Sequence, residues 1–312
     1  MNKSNRREFL KQAALGGIAL VGTKFMPRAF GEDEKPKYVT TIAVVDGDDP
    51  AKMTLAALEL LGGIKKFVKK DQIVAVKPNI AWERPPEFAA DTNPEVVAAI
   101  VKECLKAGAK KVKVFDRPCM DARKCYEISG IKAAAEKAGA EVILIENRDA
   151  FYQEVEFPKA KELKKWPVVK EILGCDCFIN VPVVKDHGST RLSLGLKNLM
   201  GLMGGNRGKI HQNIHQKIAD FATVIKPQLT IADAYRVMVR RGPNAGTEKD
   251  IVMVKKIIAG TDPVAVDSYC CTLDPFKLKG DNIDYIKFAN ELGLGEIDLK
   301  KVEILTKKIE KE

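Results

Sequence analysis

The chain has 312 residues, of which 46% are hydrophobic and 30% are charged, with a formal net charge of +10. These fractions are ordinary for a soluble globular protein, and the length suits one large domain or two smaller ones. Basic and acidic residues are mixed along the chain, and the aromatic residues, 6% of the total, do not interleave with the basic ones. The composition therefore argues against a nucleic-acid-binding protein, which needs a basic stripe and a stacking platform.

Residues 1–31 resemble an export signal of the twin-arginine type. Residues 6–11, RREFLK, follow its pattern of two arginines, any residue, then Phe-Leu-Lys. The apolar segment at 13–22 is shorter than the roughly 20 residues that span a bilayer, and small residues at 29–31 suit a signal peptidase. We therefore expect export by the twin-arginine machinery to the periplasm or the cell exterior, with membrane contact only through this segment. An amphipathic helix of a cytosolic protein and an uncleaved anchor are the alternatives.

After a polar leader at 32–37, strand and helix patterns alternate through residues 38–312. Short β-branched runs predict strands at 38–45, 71–76, 110–116, 140–146, 177–184, 228–234 and 301–306. Helical spacing and capping residues predict helices at about 51–69, 94–107, 125–137, 192–203, 211–222, 264–273 and 281–293. The alternation predicts a single α/β domain with a largely parallel open sheet and helices on both faces.

Polar residues follow the ends of four predicted strands. They are Lys77 with Asn79, Asp116, Lys185 with His187, and Asp233. In open α/β sheets, ligands bind at the carboxyl ends of the strands, so these side chains are expected to share one site. A carboxylate in such a position also caps the helix that follows, and this structural role is the alternative for Asp116 and Asp233.

The three histidines, His187, His211 and His215, lie close together in the sequence. On a helix, His211 and His215 would share one face, and His187 would supply a third ligand from a loop. Two imidazoles one turn apart are typical ligands of zinc, nickel or iron. The spacing lacks the glutamate of a zinc peptidase, and surface or polar-core histidines are the alternative.

Three lysines, Lys77, Lys185 and Lys197, predict an anion site. Two glycine-rich segments, GGNRG at 204–208 and GPNAG at 242–246, offer backbone N–H groups to a phosphate or carboxylate. Lys197 and Asn198 interrupt an apolar helical pattern, and a buried lysine needs a partner or a ligand. The alternative for Lys197 is a side chain that reaches solvent along the helix surface.

The seven cysteines lack the paired C-x-x-C spacing of a zinc or iron–sulfur site. Buried structural thiols are the favoured interpretation. An odd number of cysteines in an oxidising compartment leaves at least one thiol outside a disulfide.

Several ordered motifs between residues 40 and 275 resemble the family "domain of unknown function 362". They include Val76-Lys77-Pro78-Asn79, Thr92-Asn93-Pro94, Ile179-Asn180-Val181-Pro182 with Lys185 and His187, Gly195-Leu196-Lys197-Asn198-Leu199, Gly242-Pro243-Asn244-Ala245-Gly246, and Asp262-Pro263-Val264-Ala265-Val266-Asp267. The resemblance implies no particular reaction. Some members carry ferredoxin-like cysteine clusters in an added segment, which this sequence lacks, so an iron–sulfur cluster is the less favoured cofactor.

The sequence is interpreted as an exported soluble protein that binds a small anionic ligand, with a metal ion or cofactor, as an enzyme of unspecified reaction. Two alternatives are a non-catalytic periplasmic ligand- or metal-binding protein and an iron–sulfur redox protein. The predicted catalytic residues are Lys185, His187 and Lys197. The predicted ligand-binding residues are Lys77, Asn79, Asp116, Asn198 and Asp233, and the predicted metal ligands are His187, His211 and His215.

Overall fold

A computed structural model describes residues 40–310, so the predicted signal and leader lie outside the described residues. The strands are β1 Thr40–Asp46, β2 Ile73–Pro78, β3 Lys111–Asp116, β4 Glu141–Leu144, β5 Tyr152–Glu156, β6 Lys165–Val169, β7 Cys177–Val181, β8 Val183–His187, β9 Arg191–Ser193, β10 Leu229–Met238, β11 Ile251–Gly260 and β12 Val302–Lys308. The helices are α1 Pro50–Leu60, α2 Pro94–Lys106, α3 Ala122–Ile128, α4 Ile131–Lys137, α5 Lys170–Leu173, α6 Gly195–Asn198, α7 Arg207–His211, α8 Ile214–Ala222, α9 Pro263–Cys271 and α10 Asp284–Glu291.

One large, mostly parallel sheet organises the described residues. Its strand order is β12-β1-β11-β10-β7-β2-β3-β4, with β8 and β9 attached beside β10. The run from β10 through β7, β2 and β3 to β4 is parallel throughout. Only the pairs that β11 makes with β1 and β10, and the β8–β9 hairpin, are antiparallel in this sheet. The predicted α/β class and largely parallel sheet are confirmed.

Helices cover both faces of the sheet, as predicted. Side chains of a strand alternate between its two faces, and in β1 the residues Ala43 and Val45 enter one core while Ile42 and Val44 enter the other. Helices α1 to α4 pack on the first face, and α6 to α10 pack on the second. Because apolar side chains leave both faces, the strands read as continuous apolar runs instead of alternating ones.

The predicted start of α2 is confirmed in detail. Asn93 is extended and accepts a hydrogen bond from the backbone N–H of Glu95, and Pro94 occupies the first helical turn. Proline is favoured there because its missing N–H has no intrahelical partner to lose. The loop that precedes α2 begins at the carboxyl end of β2, at the edge of the sheet where the candidate site lies.

Several predicted elements differ in extent, and the helix expected at 51–69 ends at Leu60 as α1. The helix expected at 125–137 divides into α3 and α4, because Gly130 has a φ of 72°. The strand expected to end near Asp233 continues to Met238 as β10. The helix expected at 192–203 is instead a short strand, β9, followed by α6 and a 3-10 turn.

The strand expected at 177–184 is interrupted at Pro182. Proline cannot donate to a sheet ladder, and here β7 ends at Val181 while β8 begins at Val183 and turns to pair with β9. The predicted loop beginning at Lys185 is therefore wrong, since Lys185 and His187 lie within β8. No helix among residues 40–310 has the length and apolarity to cross a membrane.

Candidate functional site

A cavity of about 250 Å³ lies at the carboxyl ends of β2 and β3, beside the β8–β9 hairpin. Seven of the residues predicted from the sequence line it: Asn79, Asp116, Lys185, His187, Lys197, Asn198 and His211. Arg117, Cys119, Ser193 and Trp82 complete much of its polar and aromatic lining. Lys77, Asp233 and His215 are not among the lining residues of the described structure.

Lys185 and His187 face the same cavity because they are two residues apart in β8. Asp186 lies between them, and its Oδ2 accepts a hydrogen bond from the backbone N–H of Gly242, 2.8 Å away. This bond holds the glycine-rich segment at 242–246 beside the hairpin, where Pro243 joins the cavity wall. One short strand therefore supplies two polar groups to the cavity and one anchor for its rim.

Lys77 and Asp116 form a buried ion pair next to the cavity. The distance from Lys77 Nζ to Asp116 Oδ1 is 2.7 Å, with the side chains 0% and 1% exposed. Lys77 Nζ also donates to the carbonyl of Pro78 and to Oδ1 of Asn198. Asp116 Oδ2 accepts from the backbone N–H of Ile80 at 2.7 Å. Lys77 thus supports the cavity wall through Asp116 and Asn198, and the negative charge of Asp116 is already compensated.

Lys185 is 1% exposed, and its Nζ donates to Oδ1 of Asn79 at 2.7 Å and to the carbonyl of Ala90. Burial lowers the pKa of Lys185 to about 8, against the opposing attraction of Asp91. Removal from water disfavours the charged form of an amine, which accounts for this direction.

Asp91 is a residue that the sequence analysis missed. Its Oδ1 accepts from the backbone N–H groups of Ala81 at 2.6 Å and Trp82 at 3.1 Å, and its buried Oδ2 has no hydrogen-bond partner among the described residues. Burial raises the pKa of Asp91 to about 7, although Lys185 favours its ionised form. The carboxylate of the sequence AADT was the available signal, but it stood between a predicted strand and a predicted helix, where no role was assigned to it.

His187 is held as a neutral imidazole. It is 9% exposed, and its Nδ1 accepts a hydrogen bond from the backbone N–H of Ser189 at 3.2 Å. Burial, followed by the nearby charges of Lys197 and Lys185, lowers the pKa of His187 to about 2. With Nδ1 as acceptor, the neutral ring carries its proton on Nε2.

Acid is expected to destabilise the fold through His187. Above about pH 6.5 the His187 side chain is neutral in the folded and in the unfolded protein. Below that pH the unfolded chain binds a proton at His187, whereas the folded protein does not bind it until about pH 2. The free energy of unfolding should therefore fall, relative to a His187→Gln variant, by up to about 1.4 kcal/mol per pH unit below pH 6.5. Urea unfolding of both proteins between pH 7 and 5 measures this difference, and parallel pH profiles would contradict it.

The prediction that His211 and His215 share one helical face is wrong. His211 ends α7, Asn213 has a φ of 55°, and α8 starts at Ile214, so the two histidines belong to different helices. His211 lines the cavity, whereas the ring of His215 stacks on Tyr285 with centroids 6.1 Å apart. Within residues 40–310, no group of three His, Cys, Asp or Glu side chains is arranged to hold a metal ion.

Asp233 has a structural role, as its alternative interpretation proposed, but it holds the start of an earlier helix and does not cap the helix that follows. Its Oδ2 accepts from the backbone N–H of Asn93 at 2.8 Å, and its Oδ1 accepts from that of Tyr235 at 3.0 Å. Burial raises the pKa of Asp233 to about 6. The carboxylate therefore fixes the start of α2 to β10, away from the cavity lining.

Arg117 fastens the other glycine-rich segment. Its guanidinium donates to the carbonyls of Met203 at 2.7 Å and Gly205 at 3.0 Å, and to Oδ1 of Asn147 at 2.7 Å. Arg117 and Cys119 line both the cavity and a wider cleft of about 1130 Å³ at the ends of β3 and β4. No disulfide joins the cysteines, all of which lie within the described residues, and five of them are buried.

The fold and the cavity define an α/β protein with a polar site at the carboxyl edge of a largely parallel sheet. The chain belongs to the family described as "Domain of unknown function (DUF362)", whose model matches residues 74–272. The family resemblance seen in the sequence is therefore confirmed.

The chain is also similar to thylakoid-associated protein sll1697 of Synechocystis sp., with 28% identity over 67% of this chain and 65% of that protein. Among solved structures, it is similar to the lactate racemase apoprotein from Thermoanaerobacterium thermosaccharolyticum, with a TM-score of 0.47, 13% identity, and coverage of 78% of this chain and 60% of the other. A protein from Thermotoga maritima matches with a TM-score of 0.45 and 13% identity over 80% of this chain and 60% of its own. The chain thus spans about two thirds or less of the length of each.

Proposed function

We propose that this protein binds a small organic anion in the cavity at the carboxyl ends of β2 and β3 and catalyses a reaction of it by acid–base or nucleophilic chemistry. The observation that carries the proposal is the charge of the cavity lining. Lys197 and Arg117 are cationic, Lys185 is cationic in its protonated form, and Asp116 is the only carboxylate among the described lining residues. Because Lys77 compensates Asp116 at 2.7 Å, the cavity as a whole favours a negative ligand.

The size of the cavity supports a small ligand or a small anionic end group. About 250 Å³ is below the usual range of drug-sized ligand pockets. Lys197 is half-buried and Lys185 is fully buried, so each ammonium acts in a medium less polar than water. Electrostatic attraction in such a medium is stronger than between charges on the surface.

Two groups favour a reaction over simple binding. Lys185 has a pKa of about 8, close enough to neutrality for its Nζ to give and take protons near physiological pH. His187 is neutral, and its Nδ1 already accepts a hydrogen bond from the backbone N–H of Ser189. The ring proton is therefore on Nε2, which acts as a hydrogen-bond donor. Perturbed groups that meet in a cavity are typical of active sites.

Lys197→Met is expected to lower the affinity for the anion at least tenfold, because it removes one charge from the lining. Thermal unfolding with acetate, pyruvate or inorganic phosphate measures affinity as a concentration-dependent rise in Tm. Lys209→Met is the matched control, since Lys209 is exposed in the nearby helix α7 and does not line the cavity. Equal affinity in both variants, or no rise in Tm with any of these anions, contradicts the proposal.

A metal ion or cofactor bound with the anion forms part of the same proposal, supported by His211 in the lining. A metal ligated at Nε2 of His187 would require Nδ1 to carry the proton, and the hydrogen bond from Ser189 opposes that tautomer. Metal content and visible absorbance of protein purified without oxygen test zinc, nickel, iron and an iron–sulfur cluster together.

Export remains part of the proposal and depends on Arg6 and Arg7. Replacing both with lysine preserves the charge of the segment but removes the two residues that define the twin-arginine pattern. We expect the Arg6→Lys/Arg7→Lys variant to accumulate in the cytoplasm of a host with that machinery, while the natural sequence reaches the periplasm. Cell fractionation measures the ratio, and equal export of both proteins would contradict this route.

A further inference from the structure

We propose that Lys185 forms a covalent imine with a 2-oxo acid, whose carboxylate occupies the cationic part of the cavity and whose carbonyl carbon meets Nζ. The inference rests on the proposed function, because the anionic group places the carbonyl. It goes further in naming the reacting atom, the class of substrate and the bond that forms.

The hydrogen bonds of Lys185 suit a neutral amine. Nζ has two acceptors, Oδ1 of Asn79 and the carbonyl of Ala90. A neutral amine has two N–H groups and one lone pair, so these acceptors engage both hydrogens and leave the lone pair for attack on a ligand. The ladder position of Lys185 opposite Ser193, another lining residue, directs the side chain into the cavity.

The surroundings of Lys185 favour loss of its proton. The side chain is 1% exposed, and removal from water disfavours its charged form. A desolvated lysine near another cation is a typical activated amine nucleophile. Burial also limits the water that would hydrolyse an imine once it has formed.

A buried carboxyl group, Asp91, lies next to the residue whose carbonyl holds this amine. It directly follows Ala90, whose carbonyl accepts from Lys185, and its Oδ2 is buried without a hydrogen-bond partner among the described residues. Asp91 is therefore a positioning residue for Lys185, since it fixes the segment whose carbonyl accepts from Nζ.

The reaction balances without an oxidant or reductant. The Nζ lone pair attacks the carbonyl carbon, a C–N bond forms, and one Nζ proton reaches the carbonyl oxygen to give a carbinolamine. The second Nζ proton leaves with the hydroxyl group as water, and the C=N bond forms. The Nε2–H of neutral His187 is available to stabilise negative charge on the oxygen in the first step.

Borohydride trapping tests the imine directly. The purified full-length protein is incubated with pyruvate, reduced with sodium borohydride, and analysed by intact mass and peptide mapping. We expect one reduced pyruvate adduct per chain, located on Lys185, and suppression of trapping by excess inorganic phosphate that competes for the cavity. Lys185→Arg preserves the charge but has no amine nucleophile, so its adduct should disappear.

The outcomes separate this inference from the proposed function. A rise in Tm with pyruvate but no adduct on Lys185 overturns the imine and leaves anion binding in place. Adducts spread over exposed lysines, or unchanged in the Lys185→Arg variant, also overturn it. Absence of both a rise in Tm and an adduct overturns the proposed function together with the imine. Peptide mapping of the natural protein locates the adduct, so the result does not depend on whether the arginine variant folds.

Discussion

Replacing Lys77 with methionine is expected to lower the free energy of unfolding by about 3–5 kcal/mol. Lys77 Nζ lies 2.7 Å from Asp116 Oδ1, and both side chains are buried. Methionine removes the charge, so the Asp116 carboxylate stays out of water with only its backbone donors, Ile80 and Arg117. Chemical unfolding of both proteins, monitored by circular dichroism, measures the loss.

The double variant Lys77→Met/Asp116→Asn separates the ion pair from side-chain packing. Removing both charges leaves no uncompensated carboxylate, so the double variant is expected to be more stable than Lys77→Met alone. Lys106→Met is the control, because Lys106 is 69% exposed in its 2.6 Å contact with Glu103 and such surface pairs contribute about 0–1 kcal/mol. A Lys77→Met variant no less stable than Lys106→Met would refute the structural role of Lys77.

Gly201→Ala is expected to destabilise the protein by about 3 kcal/mol or more, although it adds only one methyl group. A Cβ atom at this position would lie 1.7 Å from Asp116 Oδ1 and 2.7 Å from Lys77 Nζ. The added carbon would therefore separate the buried ion pair or displace the backbone at 201, whose carbonyl accepts from the N–H of Arg117. Loss of the cavity wall should also weaken the binding of anions.

Gly188→Ala is the matched control for this substitution. No atom lies within 4 Å of a Cβ built at Gly188, in the exposed turn between β8 and β9. Its effect should stay within about 0.5 kcal/mol, as for most surface substitutions. Thermal unfolding of both variants gives the comparison. A Gly201→Ala protein as stable as Gly188→Ala would show that the backbone at residue 201 does not lie close to the Asp116 carboxylate.

Local patterns in the sequence determined the fold class and the location of the cavity. Apolar runs of strand length alternate with helical spacing, and this alternation predicts a parallel sheet because each crossover needs a helix. Asn93 and Pro94 define a helix start through contacts within a few residues. The polar residues at the carboxyl ends of β2 and β3 meet because parallel strands end at the same edge of the sheet. These features depend on neighbours in the chain.

Only the tertiary structure decided which of those polar residues face the cavity. Lys77 and Lys185 look alike in the sequence, yet Lys77 is paired with Asp116 while Lys185 lines the cavity beside Asp91. Asp233 binds the start of α2 from 140 residues away. The backbone turn at Asn213 separates the two neighbouring histidines. Burial and long-range partners set the charge and role of each group, and these depend on packing between elements distant in the chain.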